Sequence, residues 1–450
     1  MRVVETLAAH ILDDTFFEVP EQVREKALCC VLDAVTSAVV GHRATSTIAC
    51  RITSERLFGK GTASVWLSGQ TRNAVGAAFC NSAAVSALDF DDGHRAARGH
   101  PGAAVIPAAL TAISRKRKPR VDQLVAAIVA GYEISIRIAG AQNPINIRTR
   151  QSGRWTAYGA VAAAGLISQH PAKSLSHAMA IAGVWSPNQD ANGSSGYCEL
   201  TGNDAKEGIP WSVATGLTAL ELARAGFTGP GDILDHASHY DASRILDGLG
   251  RRWEILGTYF KPYACCRYIH PAVDALASLR PALPLHSLDI LAIRVKTFQW
   301  AQRLQNKLEP TNLVEAQYSL PFCIGASVRY GPEALSPISN LLLRDKEVHH
   351  LARKVALEVH SEIDRRFPSE TLAQIVIETK TGDLTSDIVA ARGDMADPMG
   401  WPALLRKFLT SSKHLVGRER QNDFVAAFES LKAGNLKPLS VQLGQPFTAE

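Results

Sequence analysis

The chain has 450 residues, of which 46% are hydrophobic and 20% are charged, and its formal net charge at pH 7 is +5. A chain of this length usually exceeds the size of one hydrophobic core, so we expect two domains. The modest charge excludes a strongly basic nucleic-acid surface, and no apolar run approaches the ~18 residues of a membrane helix. The N-terminal residues show no signal-peptide pattern. We therefore expect a cytoplasmic protein without nucleic-acid or membrane partners.

Helical periodicity begins at residues 4–11 and resumes after Pro20. Alanine-rich segments, each long enough for a helix and separated by Gly, Pro or Asn, follow at 74–87, 103–113, 121–139, 157–167 and 213–225. Helical spacing returns beyond Pro398. This pattern predicts a large all-α domain formed by residues 1–265 together with 400–450, ending in a loose tail of about 15 residues.

The middle of the chain has a different pattern. Residues 290–298 and 372–380 alternate apolar and polar side chains, which is the period of a half-buried strand, and helical stretches lie between them. Residues 266–399 are therefore expected to form a smaller α+β lid domain. The predicted fold class is mainly α with two domains.

Eight cysteines are scattered along the chain, and the pairs Cys29–Cys30 and Cys265–Cys266 are adjacent. Adjacent cysteines suit neither a disulfide framework nor the CxxC spacing of a zinc site. We expect reduced thiols, with packing rather than nucleophilic catalysis as the role of Cys265 and Cys266.

The densest group of polar residues follows one apolar helix and precedes the next. Asp89, Asp91, Asp92, His94 and His100 fall within twelve residues. Carboxylates and imidazoles at a helix end can supply a general base and its orienting partner, and the alternative is a solvated loop with helix caps. The histidine spacing matches no zinc motif, so no metal is expected.

Three further segments carry candidate cations. Arg148, Arg150 and Arg154 could bind carboxylates bidentately, or they could be solvated surface residues. Lys206 lies in a loop before a helix, where a lysine is commonly exposed. The segment 261–270 contains Lys, Arg, Tyr and His at the predicted domain junction, a favoured place for a pocket.

Other motifs favour ordinary structural roles. Glu133 and Arg137 have the i, i+4 spacing of a surface ion pair, and the basic run 115–120 is interpreted as a solvated connection. The sequence has no glycine-rich phosphate loop and no GxSxG elbow, which argues against nucleotide-dependent and serine-hydrolase chemistry.

Taken in order, these segments resemble the MmgE/PrpD (2-methylcitrate dehydratase-like) superfamily over nearly the whole chain. The resemblance is carried by Leu-Asp-Phe-Asp-Asp ending at Asp92, His100-Pro, Lys261-Pro-Tyr-Ala-Cys-Cys-Arg, Tyr318-Ser-Leu-Pro-Phe, and shorter matches that include Leu32-Asp and Lys407-Phe. It implies a large helical domain with a smaller α+β lid, a homodimer, an active site in the cleft between the domains, and no cofactor.

The resemblance places the family's active-site positions on Asp89, His100, Lys206, Lys261 and Tyr318. Two positions depart from the family pattern. Gly93 stands where relatives usually have threonine, and Gly153-Arg154 stands where they usually have a histidine. These departures weaken a dehydratase or decarboxylase interpretation.

A proton transfer α to a carboxylate needs a base, an acid on the opposite face and cations to stabilise the enolate-like charge. We therefore expect a cofactor-independent epimerase, and within the family the sequence most resembles the iminodisuccinate epimerases. In this hypothesis burial amid other cations lowers the pKa of Lys261, which then acts as the base. Tyr158, Lys206 or His100 acts on the opposite face, and Asp89 completes the catalytic set. The residues assigned to carboxylate binding are Arg154, Arg267, His94, Arg150 and Tyr318.

Two alternatives remain open. One is a lyase of the 2-methylcitrate dehydratase or cis-aconitate decarboxylase type, and the other is a non-catalytic small-anion-binding protein. In each case the expected ligand is a small polycarboxylate, the expected assembly is a homodimer, and no metal or cofactor is expected.

Overall fold

The computed structural model describes residues 1–149, 151–188, 203–283 and 289–447. The first part of the chain is dominated by helices, most of which bury apolar residues. These helices are α1 Val3–Ile11, α2 Glu21–Gly41, α3 Thr45–Leu57, α4 Ala74–Ser86, α5 Gly102–Ser114, α6 Val121–Gly140, α7 Thr156–Ser168, α8 Ala172–Val184, α9 Ile209–Arg224 and α10 Ala242–Leu246.

Helix α7 lies at the centre of this large domain. All its residues from Thr156 to Ile167 are buried, and it packs against α5, α6, α8 and α9. Small residues allow this close approach, since a Cβ added at Gly159 would lie 2.9 Å from the carbonyl oxygen of Gly131 on α6. The alanine and glycine content that predicts helices therefore also permits a dense multi-helix core.

Helix α6 is long and apolar enough to cross a membrane by length and composition, but 89% of that stretch is buried inside the protein. The pair α2 and α3 passes the same test together, with a bend of 91° between them. An apolar helix packed on all sides is typical of a protein core.

Two short antiparallel sheets interrupt the large domain, which is therefore not purely α-helical. Strand β1 (Ala63–Val65) pairs with β2 (Gln70–Arg72), and β3 (Gly93–His94) pairs with β4 (Thr258–Tyr259). Strands of two or three residues show too little alternation for sequence periodicity to reveal them. The second sheet joins two segments more than 150 residues apart and lies at the candidate site described below.

The lid domain contains the α+β structure that the alternating pattern predicts. Its helices are α11 His270–Leu279, α12 Leu313–Gln317, α13 Leu320–Tyr330, α14 Lys346–Ala352 and α15 Ser361–Arg366. Its strands are β5 Ile290–Thr297, β6 Val355–Val359, β7 Leu372–Thr379, β8 Gly382–Thr385 and β9 Val389–Ala390. The sheet order is β6-β5-β7-β8, with β9 also paired to β7. Strands β5 and β7 confirm the two predicted strands.

After the lid, the chain returns to the large domain with α16 Trp401–Ser412, α17 Arg418–Lys432 and α18 Lys437–Gly444. The prediction of a loose C-terminal tail is wrong over α18. Leu439 and Leu443 of this helix are buried, and the Leu443 carbonyl accepts a hydrogen bond from the Leu67 amide at 2.8 Å. The polar composition of the last residues did not indicate α18, because this helix is stabilised by its contact with the distant segment around Leu67.

The Glu133–Arg137 pair also differs from its prediction, because both side chains are buried. The Arg137 guanidinium lies 3.3 Å from Glu133 and donates to the carbonyls of Asp247 and Arg252 at 2.6 Å each. The i, i+4 spacing correctly predicted the pair but carried no information about the segment that covers it. Arg137 satisfies the carbonyl groups of an irregular chain segment, which a surface pair does not do.

Among the described residues the fold has two large hydrophobic cores and two smaller hydrophobic clusters. One large core contains side chains from residues 3–260 and 404–443, and the other large core contains side chains from residues 263–377. The protein is therefore mainly α with two domains. Lys261 lies at the point where the chain leaves the first core for the second.

Candidate active site

A cavity of about 470 Å³ is lined by residues of both domains. From the large domain come Asp89, His94, Arg95, Arg98, Gly99, His100, Glu207 and Tyr259. From the lid come Cys266, Arg267, Tyr268, Gln299, Trp300, Tyr318, Asp364, Phe367, Pro368 and Thr371. The predicted location of the pocket at the junction of the two domains agrees with this arrangement.

The buried Asp89 carboxylate is the centre of a charged cluster in the wall of this cavity. Its Oδ2 lies 3.1 Å from Lys261 Nζ, and its Oδ1 lies 3.4 Å from His100 Nε2 and 3.6 Å from Lys206 Nζ. The Tyr318 hydroxyl donates to the same Oδ1 at 3.4 Å. The structure thus brings together the five positions that the family resemblance singled out.

The charges in this cluster set each other's protonation. Burial favours a neutral Asp89, but Lys261, Lys206 and His100 hold the pKa of its carboxyl well below the ordinary range. Burial also favours a neutral Lys261, but Asp89 and Asp91 raise the pKa of its ammonium above the ordinary value. The predicted lowering of the Lys261 pKa is therefore wrong, because carboxylates dominate the surroundings of its ammonium group.

Three residues at or beside the cavity have a strained backbone. Asp89, Arg98 and Lys206 have φ values of 53°, 55° and 39°, in the left-handed region that residues other than glycine rarely adopt. Each such residue costs about 1–3 kcal/mol, which the surrounding contacts must offset. The backbone conformation is one of the factors that aim Asp89 and Lys206 at one another.

The orientation of His100 follows from its hydrogen bonds. Its Nδ1 lies 2.6 Å from the Asp92 carbonyl oxygen, an acceptor that requires a protonated nitrogen, so Nδ1 is a donor. Its backbone amide donates to Ser152 Oγ at 3.0 Å. Nε2 is therefore the nitrogen that faces Asp89 and is available for proton transfer at the cavity.

The segment around Gly153 supports this geometry. Ser152 donates through its amide and its hydroxyl to Glu207 Oε2 at 2.8 and 2.7 Å, and the Gly153 amide donates to the Glu207 carbonyl at 2.9 Å. A Cβ added at Gly153 would lie 2.6 Å from that carbonyl oxygen. Glycine at this departure from the family pattern therefore allows the chain to pack closely beside Lys206.

A second buried network lies behind the cluster. Lys407 Nζ on α16 donates to Asp33 Oδ1 on α2 and to the Phe90 carbonyl, each at 2.7 Å. Asp92 accepts hydrogen bonds from the Tyr132 hydroxyl at 2.5 Å and from the Gly102 amide at 3.0 Å. Sequence reasoning gave neither Asp33 nor Lys407 a role, although both lie in segments that carry the family resemblance.

Three arginines line the cavity, together with the carboxylates of Asp89, Glu207 and Asp364. Arg267 donates to the carbonyls of Arg392 and Ala391 at 2.8 and 3.0 Å, and its Nη2 lies 3.3 Å from Asp394. Arg95 also pairs with Asp394. Arg98 is exposed, and its guanidinium has no hydrogen-bond or ion-pair partner within the described residues. Arg98 is therefore better placed than Arg95 or Arg267 to bind an incoming carboxylate.

His94 lines the cavity, but its charge state differs from that of a cationic binding residue. Its Nε2 lies 3.0 Å from the Glu254 carbonyl oxygen. Burial lowers the pKa of His94 to about 4, so the ring is neutral near pH 7. His94 therefore shapes the cavity wall without adding positive charge.

Two predicted site residues lie elsewhere. Tyr158 is buried within α7, and Arg154 donates to the Ser186 carbonyl at 2.9 Å and the Tyr240 hydroxyl at 3.0 Å. Neither lines the cavity. The Arg154 guanidinium instead donates hydrogen bonds to backbone carbonyls at the C-terminal end of α8. The helix dipole favours a cation at that end. Arg150 lies outside the described residues.

The cysteines of the junction are protonated thiols. Cys265 is buried in the second core, and Cys266 lines the cavity. Burial raises the pKa of Cys266 to about 12, so its nucleophilic thiolate form is scarce near neutral pH. This favours the packing role over nucleophilic catalysis.

The acidic part of the cluster has a spacing that a metal ion could use. Ligand atoms of Asp89, Asp91 and His100 lie within 4.8 Å of one another. However, Lys261 and Lys206 already neutralise Asp89, and two ammonium groups would repel a divalent cation. The expectation of a metal-free site remains a prediction.

The fold and the cavity define a two-domain, mainly helical protein with a cleft of charged side chains between a large helical domain and a smaller α+β domain. The chain belongs to the MmgE/PrpD family: the MmgE/PrpD N-terminal domain matches residues 5–243, and the MmgE/PrpD C-terminal domain matches residues 263–433. The family expected from the sequence motifs is thereby confirmed.

The chain is also similar to proteins named cis-aconitate decarboxylase. The chain is 24% identical to a cis-aconitate decarboxylase of Aspergillus terreus, in an alignment covering 93% of this chain and 90% of the relative. It is 25% identical to the cis-aconitate decarboxylases of Mus musculus and Homo sapiens, covering 79% of this chain and 75% and 76% of those proteins.

The expected isomerase activity is wrong by this comparison, because these relatives are decarboxylases and decarboxylases are lyases. The error came from treating the changes at Gly93 and Arg154 as a loss of lyase chemistry. The charged cluster around Asp89 is nevertheless complete.

Proposed function

We propose that this protein is a cofactor-independent lyase that decarboxylates a small polycarboxylate of the cis-aconitate type. The observation that carries the proposal is the buried cluster of Asp89 with Lys261, Lys206 and His100 in the wall of the cavity. The names of the relatives support the same reaction class.

The cavity suits a small anion. A volume of about 470 Å³ falls within the range of ordinary ligand pockets, roughly 300–1,000 Å³. Arg98 at the cavity offers a planar guanidinium without a partner among the described residues, and such a group can bind a carboxylate through two parallel hydrogen bonds. Arg267 and Arg95 add positive charge, although Asp394 offsets part of it.

Decarboxylation breaks the bond between a carbon and its carboxylate. Carbon dioxide leaves, and the electron pair remains on the carbon skeleton, where an adjacent double bond and carboxylate delocalise it. The ammonium groups of Lys261 and Lys206 stabilise this developing negative charge from fixed positions. They need no reorganisation, because Asp89 already orients them.

The carbanion must then take up one proton. His100 is the donor in this proposal, because Nδ1 is committed to the Asp92 carbonyl and Nε2 faces the cavity wall beside Asp89. Asp89 stabilises the protonated imidazole before transfer. Solvent reprotonates His100 after product release, so the net reaction consumes one proton and releases one molecule of carbon dioxide.

The test is incubation of purified protein with cis-aconitate in D₂O, with measurement of carbon dioxide release and NMR of the product. We expect stoichiometric carbon dioxide and one solvent-derived deuterium bound to carbon. The His100→Gln variant should lose at least about 100-fold in kcat, in the range typical of a general acid. His236→Gln, on an exposed histidine, is the matched control and should retain activity.

The non-catalytic alternative gives the opposite result. A protein that binds cis-aconitate but releases no carbon dioxide and incorporates no deuterium would refute the proposed activity. Full activity of the His100→Gln variant would refute the proton-donor role alone.

A further inference from the structure

Gly93 and Tyr259 face one another across the short sheet at the cavity. They are register partners in the antiparallel pair β3–β4. A Cβ added at Gly93 would lie 2.4 Å from both the Cζ and the hydroxyl oxygen of Tyr259. The Tyr259 ring therefore occupies the space that any side chain at position 93 would fill.

The Tyr259 side chain faces the cavity, where it lies with Asp89, Cys266 and Arg267 in the lining. Its ring is fixed on one side by the Arg267 guanidinium, whose central carbon lies 4.7 Å from the ring centroid. Its hydroxyl has no hydrogen-bond partner in the described parts of the chain. A rigid ring with an unpaired hydroxyl at a cavity can donate to a ligand.

The protonation state suits a donor. Burial raises the pKa of Tyr259 to about 12, although Lys261 and Arg267 act in the opposite direction. The phenol is therefore neutral near pH 7 and keeps its proton. A neutral hydroxyl hydrogen-bonded to a carboxylate forms a charge-assisted bond, which is stronger than a bond between two neutral groups.

We propose that Tyr259 is a substrate-binding residue whose hydroxyl donates a hydrogen bond to a carboxylate of the bound polycarboxylate, and that Gly93 is the positioning residue that leaves room for its ring. The identity of the ligand as a polycarboxylate rests on the proposed function. The pairing of Gly93 with Tyr259 rests on the structure alone.

The first test is Tyr259→Phe, which removes the hydroxyl and keeps the ring. We expect kcat/KM for cis-aconitate to fall about 10- to 100-fold, mainly through KM, with no change in melting temperature. Tyr330→Phe changes an exposed tyrosine outside the cavity and should leave kcat/KM unchanged. An unchanged KM in Tyr259→Phe would overturn the proposed role of Tyr259.

The second test addresses the role of Gly93 with a double-mutant cycle. Gly93→Ala should impair binding because the new methyl group displaces the Tyr259 ring. In a Tyr259→Ala background, the same Gly93→Ala change should have little further effect, so the two losses in kcat/KM are not additive. Additive losses would overturn the positioning role.

A binding measurement separates failure of this inference from failure of the proposed function. Tricarballylate, a saturated tricarboxylate, should bind the wild-type protein about 10- to 100-fold more tightly than Tyr259→Phe in calorimetry. If this difference holds but cis-aconitate releases no carbon dioxide, the proposed function fails and the Tyr259 assignment stands. Equal dissociation constants, or no binding to the wild-type protein, would overturn the assignment.

Discussion

Asp89 is surrounded by more positive groups than one carboxylate can neutralise. Lys261, Lys206 and His100 all approach it within 3.6 Å, while Asp91 adds a second negative charge near Lys261. A buried charge is tolerated when its partners remain in place, and removal of one partner exposes the cost of burying the others. The cluster is therefore sensitive to single substitutions.

We predict that Asp89→Asn lowers the free energy of unfolding by about 3–5 kcal/mol, because the buried Lys261 ammonium loses its nearest counter-charge. The same substitution should abolish measurable decarboxylation. Urea denaturation and a carbon dioxide assay measure the two effects. Asp383→Asn is the control, since Asp383 is exposed and its contact with Arg294 is 3.8 Å, and it should cost less than about 1 kcal/mol. Similar losses in both variants would contradict the prediction.

At the scale of the elements, the second buried network joins three parts of the large domain. Lys407 on α16 reaches Asp33 on α2 and the carbonyl of Phe90, and its Nζ lies 3.7 Å from the centroid of the Phe90 ring. Phe90 immediately follows Asp89. Helix α16 thus helps to hold the strained turn that carries the Asp89 carboxylate.

We predict that Lys407→Met lowers the free energy of unfolding by about 3–5 kcal/mol, because Asp33 remains buried without its cation. The double variant Asp33→Leu/Lys407→Met should be less destabilised than the sum of the two single variants, since no unpaired charge is left behind. Urea denaturation of the four proteins in the cycle measures this coupling. Additive single losses would show that the pair is not coupled.

The helices show what sequence periodicity predicted correctly and what it did not. The alanine-rich periods at residues 74–87 and 157–167 correctly predicted α4 and α7, because small residues favour both helix formation and close packing. The i, i+4 spacing of Glu133 and Arg137 correctly predicted an ion pair but wrongly placed it on the surface. Periodicity describes the helix that carries a residue but not the distant segment that covers it.

At the scale of the whole molecule, buried acids make stability depend on pH. Burial, reinforced by repulsion from Asp33 and Asp91, raises the pKa of Asp92 to about 7. An aspartate in the unfolded chain titrates near pH ~4. Between these values the folded protein holds a proton that the unfolded chain has released, so this group's contribution to stability falls as the pH rises.

We predict that Asp92→Asn, which cannot ionise, gains stability relative to the wild type as the pH rises from 4 to 8. A shift of about three pH units corresponds to a relative gain of about 4 kcal/mol. The variant can keep the hydrogen bonds to Tyr132 and Gly102, because an amide can act as both donor and acceptor. Urea denaturation at several pH values measures the difference between the two proteins. A difference that does not vary with pH would contradict the prediction.

Much of the site was accessible from the sequence through its resemblance to a family. Asp89, His100, Lys206, Lys261 and Tyr318 were singled out in this way, and they do meet at one place. The residues assigned from local charge were less successful. Arginines at positions 150 and 154 have a side chain suited to binding carboxylates, but the Arg154 guanidinium already donates hydrogen bonds to backbone carbonyls. Local charge alone does not reveal which cations are already satisfied.

The sequence by itself determined the mainly helical character, the strands of the lid and the family, because these depend on side-chain period and on motifs along the chain. The tertiary structure alone decided the protonation of Lys261, the burial of Arg137 and the contact between Gly93 and Tyr259. Each of these depends on groups brought together from distant segments, whose distances and shared burial set the electrostatic and steric energies. Gly93, which the sequence comparison treated as the loss of a side chain, leaves in the folded protein the room that the Tyr259 ring occupies.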